Sequence, residues 1–104
     1  MSVTVTHRPD SGHFIAMEEG AGAGYIEYKL RGGDAAILHT IVDPAFEGKG
    51  VGSALAQAAL TTARESGWGV LPYCPFISGY IRKHPEWLDL VPAARRADFD
   101  LPAE

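Results

Sequence analysis

A chain of 104 residues has room for one hydrophobic core, so a single domain over residues 1–104 is expected. With 46% hydrophobic and 21% charged residues it can build that core unaided, while its lone cysteine, Cys74, excludes both an internal disulfide framework and a multi-cysteine zinc site, so no metal is expected. A formal net charge of −4 argues against general attraction to nucleic acid, and any polyanionic ligand would have to be held by local groups against the average field.

Val3 and Val5 alternate with Thr4 and Thr6, the period of a half-buried strand. Pro9-Asp10-Ser11-Gly12 reads as a turn, His13 to Met17 as a second strand, and Gly20-Ala21-Gly22 as a further turn. Tyr25, Glu27 and Lys29 alternate with Ile26, Tyr28 and Leu30 in a third strand, and Gly32-Gly33-Asp34 is a hairpin connection into a fourth, Ala35–Val42. In this fourth strand Ile37, His39 and Ile41 are expected on one face, with Leu38, Thr40 and Val42 on the other. Being mostly apolar on both faces, it should be central and buried.

After Asp43-Pro44 the period changes. Val51, Ala54, Leu55, Ala58, Ala59 and Thr62 recur at helical spacing, with Ser53, Gln57, Thr61 and Arg64 opposite. Leu60 falls off this stripe, so a second element or a partner should cover it. Gly67 is a natural helix C-cap, and Trp68 to Leu71 is short enough to be only a strand. Strand, helix, strand in that order predicts a βαβ unit with parallel strands. Pro75 suits the first position of a second helix, with Phe76, Ile77, Tyr80, Ile81 and His84 as its apolar stripe and Pro85 ending it. Trp87 is expected in the core. The stretch 89–104 reads as a short helix or a loosely held tail.

No run approaches the roughly 20 apolar residues of a bilayer span. The segment Met1–Thr6 lacks the blocks of a signal peptide, so a reducing, cytoplasmic setting without membrane contact is the expectation.

The run Glu47-Gly48-Lys49-Gly50-Val51-Gly52 lies between a buried strand and a long helix. Glycines let backbone N–H groups approach a ligand, and a helix starting there adds unpaired amides and the positive end of its dipole. The combination suits a pyrophosphate, with Lys49 adding one charge. A P-loop would need Ser or Thr after the lysine, where Gly50 stands. A Rossmann fingerprint would need a third glycine at Ser53 and a larger sheet.

The loop resembles the Q/R-x-x-G-x-G/A acetyl-coenzyme A loop of the GNAT N-acetyltransferase superfamily, with Glu47 where that family usually has Gln or Arg. The resemblance runs from residue 3 to about 90. It is closest to very short members that carry, in order, His39-Thr40, the glycine loop, Cys74-Pro75-Phe76 and His84-Pro85-Glu86-Trp87. It implies a mixed α/β sheet, antiparallel through four strands and parallel between the fourth and fifth. It also implies acetyl-coenzyme A as co-substrate, held by residues 47–52, with the pantetheine arm beside Ile41 and Val42 in a splay between those strands. In such a topology the thioester lies near Cys74, which could accept the acetyl group, act as acid toward the departing thiolate, or be a buried structural cysteine. His39 is either a general base for an amine or a hydrogen-bonded core histidine. His84 and Glu86 flank Pro85 at the end of the second helix, as a packed cap or as further catalytic groups, and Arg82 and Lys83 there either complement the helix dipole or meet a coenzyme A phosphate.

Family members usually place helices between the first two strands, lining the acceptor site. Residues 9–12 leave space for a turn alone, so the acceptor side should be open, suiting a large substrate, a completing partner, or no acceptor. The expected activity is acetyl transfer to an amine. The alternatives are a non-catalytic module that binds coenzyme A or acetyl-coenzyme A as a sensor or subunit and, more remotely, an interaction domain whose exposed Leu60 and tail mark a protein contact.

Overall fold

The structure is a computed structural model that describes residues 3–103. Five strands form one sheet in sequence order: β1 (Val3–Arg8), β2 (His13–Glu18), β3 (Ala21–Arg31), β4 (Asp34–Val42) and β5 (Gly69–Pro72). The first four pair antiparallel and β4 pairs β5 in parallel, as the change of period after Asp43 predicts. Helix α1 (Val51–Ser66) makes the crossover, and α2 (Pro75–Lys83) follows β5.

One face of the sheet carries the core. Phe14 and Ala16 of β2, and Ile26 and Tyr28 of β3, are buried on the side that meets α1. The other parity, His13, Ile15, Tyr25, Glu27, His39 and Ile41, lies on the opposite face, which carries no helix between β1 and β2.

β4 departs from simple alternation. A bulge against β3 pairs Glu27 with His39 but Tyr28 with Ile37, leaving Leu38 as the extra residue. Ile37 is thereby turned onto the core face with Thr40, while His39 and Ile41 are exposed on the other. The expected row of Ile37, His39 and Ile41 is broken, and only the first part of β4 is buried on both faces.

The buried face of α1 is also rotated from the predicted stripe. Val51, Leu55 and Ala59 are buried as expected, but their flanking row is Ala56, Leu60 and Ala63 rather than Ala54, Ala58 and Thr62. That row carries the larger side chain, Leu60, and burying it removes more apolar surface from water. Leu60 is fully buried within the chain, which removes the basis for reading it as an exposed contact.

Gly67 ends α1 in the left-handed conformation, its N–H and that of Trp68 returning to the carbonyl oxygens of Arg64 and Ala63. The C-terminal stretch forms two 3-10 helices, Pro85–Leu90 and Ala93–Phe99. Val91, Phe99 and Leu101 pack into the core, and the Arg82 guanidinium donates to the carbonyl oxygens of Phe99 and Asp100. Trp87 is only partly buried. It lies under the Arg64 guanidinium, 5.0 Å from ring centroid to charge, while Arg64 donates to both oxygens of Asp89 at 2.9 and 3.0 Å.

Candidate functional site

The β4–β5 ladder is short. Its last pair is Ile37 with Pro72, and one further bond, from the Cys74 N–H to the Ile37 carbonyl at 3.1 Å, closes the junction. β4 continues to Val42, so residues 38–42 run on without β5 alongside. The backbone on that side is open to an extended ligand. Ile41, 48% exposed, and the half-buried Val42 lie on this free stretch.

At the closed end stands Cys74. Its position as N-cap of α2, before Pro75, is as predicted, and Ile77 and Ser78 donate their N–H groups to its carbonyl. The side chain does not cap the helix. It is 6% exposed, and its Sγ–H donates to Oγ1 of Thr40 across the junction at 3.2 Å. His39, next to Thr40, points to the open face beside Glu27, so it is not a core histidine.

At the other end of the free stretch, Asp43 caps a 3-10 turn over Pro44–Phe46, its Oδ1 accepting from the Ala45 N–H at 2.9 Å. The glycine loop follows. Gly50 is the N-cap of α1 with φ 81°, a conformation that L side chains adopt at a cost, and no side chain caps this helix end. Among the described residues, no main-chain acceptor takes the N–H groups of Gly48, Gly50, Val51, Gly52 or Ser53. A helix start that supplies no internal acceptor is suited to an anion.

Gly52 has another role. A Cβ there would meet the Phe76 ring at 2.7 Å, so its bare backbone lets α2 pack against the first turn of α1. The predicted stripe of α2 accordingly divides: Ile77 and Ile81 enter the core, while Phe76 stays 43% exposed at the groove between the helices.

Lys49 is not free above the loop. Its Nζ lies 4.0 Å from Oε2 of Glu18 and 5.9 Å from the Phe46 ring centroid. Glu18 is buried, and its second oxygen, Oε1, has no hydrogen-bond partner. Glu18 lies one residue beyond the expected second strand, His13 to Met17, but its parity with Phe14 and Ala16 marks a carboxylate at an inward position. The sum is a run of unpaired amides at one end, an open strand edge in the middle and a thiol–hydroxyl pair at the other end.

Beside this edge, on the helix-free face, a groove of about 570 Å³ runs between His13, Ile15, Tyr25 and Ile41, with Gly24 beneath and Asp43 at its end. The connection between β1 and β2 on this side of the sheet is the turn expected over residues 9–12.

A family model described as GCN5-related N-acetyl-transferase matches residues 13–90. The fold is similar to that of a GCN5-like protein from Staphylococcus aureus solved by NMR, with a TM-score of 0.67 and 23% identity over 86% of this chain and 87% of that one. It is also similar to the crystal structure of Ard1 from Thermoplasma volcanium, with a TM-score of 0.51 and 36% identity over 58% of this chain, which spans 40% of that one. Among curated proteins, none matches.

Proposed function

Because the chain belongs to the GCN5-related N-acetyltransferase family, we propose that it transfers an acetyl group from acetyl-coenzyme A to an amine. The observation that carries this reading is the free run of β4 from Leu38 to Val42, bounded by the glycine loop at one end and Cys74 at the other. A pantetheine arm presents amides that can pair with an exposed strand edge, while the unpaired amides of Gly48, Gly50, Val51, Gly52 and Ser53 receive the diphosphate.

In the transfer, the amine nitrogen bonds to the thioester carbonyl carbon, the carbon–sulfur bond breaks, and the amine loses one proton as the thiolate leaves. His39, exposed on the open face, accepts the amine proton. Cys74 protonates the leaving thiolate. Its single Sγ–H leaves Oγ1 of Thr40 as the thiolate forms, the proton taken by His39 returns through solvent to restore the thiol, and the burial of the sulfur disfavours a covalent nucleophile. Nucleophilic cysteines sit in more exposed surroundings. The groove along Ile15, Tyr25 and Ile41 receives the acceptor's apolar body.

The same burial of Cys74 also fits an acyl-coenzyme A-binding module without turnover. Incubation with acetyl-coenzyme A and a panel of amines and peptides separates the readings. Release of coenzyme A with an acetylated amine, and no adduct on Cys74 by mass spectrometry, supports direct transfer. An adduct that amine removes would make Cys74 the nucleophile, and binding with neither product would leave the module.

A further inference from the structure

Glu18 ends β2 at the same end of the sheet as Val42 of β4, the end at which α1 begins, and α1 packs on β2. Its carboxylate is buried, with Oε1 unpartnered and Oε2 facing the Lys49 ammonium at 4.0 Å. We infer that Lys49 is the fixed counter-ion of Glu18, and that it serves the diphosphate by cancelling this buried negative charge rather than by touching phosphate. The inference rests on the acyl-coenzyme A reading of the glycine loop.

Burial holds the ammonium in place. A carboxylate taken out of water is costly unless an opposite charge faces it, and removing one partner of such a pair leaves that cost uncompensated. Among the described residues, no other cationic side chain forms an ion pair with Glu18. The Phe46 ring, 5.9 Å from the Lys49 Nζ, holds the same ammonium from another side. Swinging it onto a phosphate would strand the carboxylate.

The backbone of Lys49 is committed as well. Its N–H donates to the Phe46 carbonyl at 3.3 Å, whereas the amides of Gly48 and Gly50 on either side have no main-chain acceptor among the described residues. Lys49 thus interrupts the run of free amides. Lys29 and Lys83, by contrast, have no ion-pair or hydrogen-bond partner among the described residues, so Lys49 is the one lysine held by the fold.

Charge gives the pair its function. The chain carries a net charge of −4, and a bare carboxylate near the start of α1 would repel an anion there. Asp43 and Glu47 are exposed, so solvent and salt screen them, but Glu18 is not screened in this way. With Lys49 beside it the local sum is zero, and the amides and the helix dipole are left to bind the diphosphate. Glu18 is therefore a positioning residue, acting on the ligand through Lys49.

The test is calorimetric titration of acetyl-coenzyme A at pH 8 into wild-type protein and three variants, each checked for folding by circular dichroism. Glu18→Gln, which keeps the size and removes the charge, should bind about fivefold more tightly than the wild type, and Lys49→Met about fivefold more weakly. The double variant Glu18→Gln/Lys49→Met lacks both charges and should bind within about twofold of the wild type. It has no stranded carboxylate, so it decides the matter even if Lys49→Met alone does not fold. A double variant at least about tenfold weaker would make Lys49 a phosphate ligand and overturn the inference, while leaving the loop assignment standing. A lower urea midpoint for Glu18→Gln with no gain in affinity would make the carboxylate merely structural, and would also overturn it. If the wild type does not bind acetyl-coenzyme A, the reading of the loop falls and this inference with it.

Discussion

The Sγ of Cys74 and the Oγ1 of Thr40 lie 3.2 Å apart, joining the first residue before α2 to β4 just beyond the point where β5 ends. Thr40 therefore keeps the thiol hydrogen directed across the mouth of the opening. Thr40→Val keeps the volume but removes the acceptor, and should cost about 1 kcal/mol of stability, read as a lower urea midpoint. Cys74→Ala should slow coenzyme A release at least about 100-fold in the amine panel if the thiol is the proton donor. The affinity for acetyl-coenzyme A, measured by titration, should change much less.

Gly50→Val should abolish acetyl-coenzyme A binding. No protein atom lies within 4 Å of a Cβ built at Gly50, so the substitution creates no internal clash. The left-handed backbone there costs a valine roughly 1–2 kcal/mol, which leaves the protein folded by circular dichroism. Normal binding by the folded variant would remove the diphosphate from the loop.

Gly52→Ala should destabilise for a different reason, because its methyl group meets the Phe76 ring. The Phe76 ring is 43% exposed and can yield at its tip, so the cost should stay below about 1 kcal/mol, under the range for a closed core. Adding Phe76→Leu should recover part of the loss, so the double variant should be more stable than the sum of its parts predicts. Additive effects in a denaturation cycle would separate the two residues.

Leu60→Ala should cost about 2–5 kcal/mol, the range for removing a fully buried leucine. A surface leucine in contact with a partner would show almost no loss in the isolated chain. The urea midpoint of the purified variant distinguishes the two.

Stability should fall as the pH drops below about 6.5. His7 stacks on Phe14 at 4.3 Å and is hydrogen-bonded to the Tyr28 hydroxyl, and burial holds its pKa below the ordinary value. The unfolded chain then takes up the proton first on acidification, so this contribution is full above the unfolded pKa. It is lost as the pH falls through the folded one. His7→Phe should flatten the change in urea midpoint between pH 7.5 and 5.5. An unchanged slope would place the titration elsewhere.

The elements and their order could be read from neighbouring residues alone. The period changes at Asp43, the Gly67 stop, the Cys74-Pro75 helix start and the glycine loop before α1 are all written in contiguous stretches, because backbone conformation and capping act over a few residues. The glycine loop before α1 and the placing of Cys74 at the start of α2 were legible for the same reason. What lay across space was not. The bulge at Leu38 depends on β3 opposite it, and it alone puts His39 on the open face and Thr40 within reach of Cys74. The pairing of Lys49 with Glu18, the wedge of Phe76 on Gly52 and the turn of α1 onto Leu60 each join residues from different elements. Which of two plausible helix faces is buried, and which lysine stays free, is set by the volume and charge brought opposite them, and only the packed chain decides that.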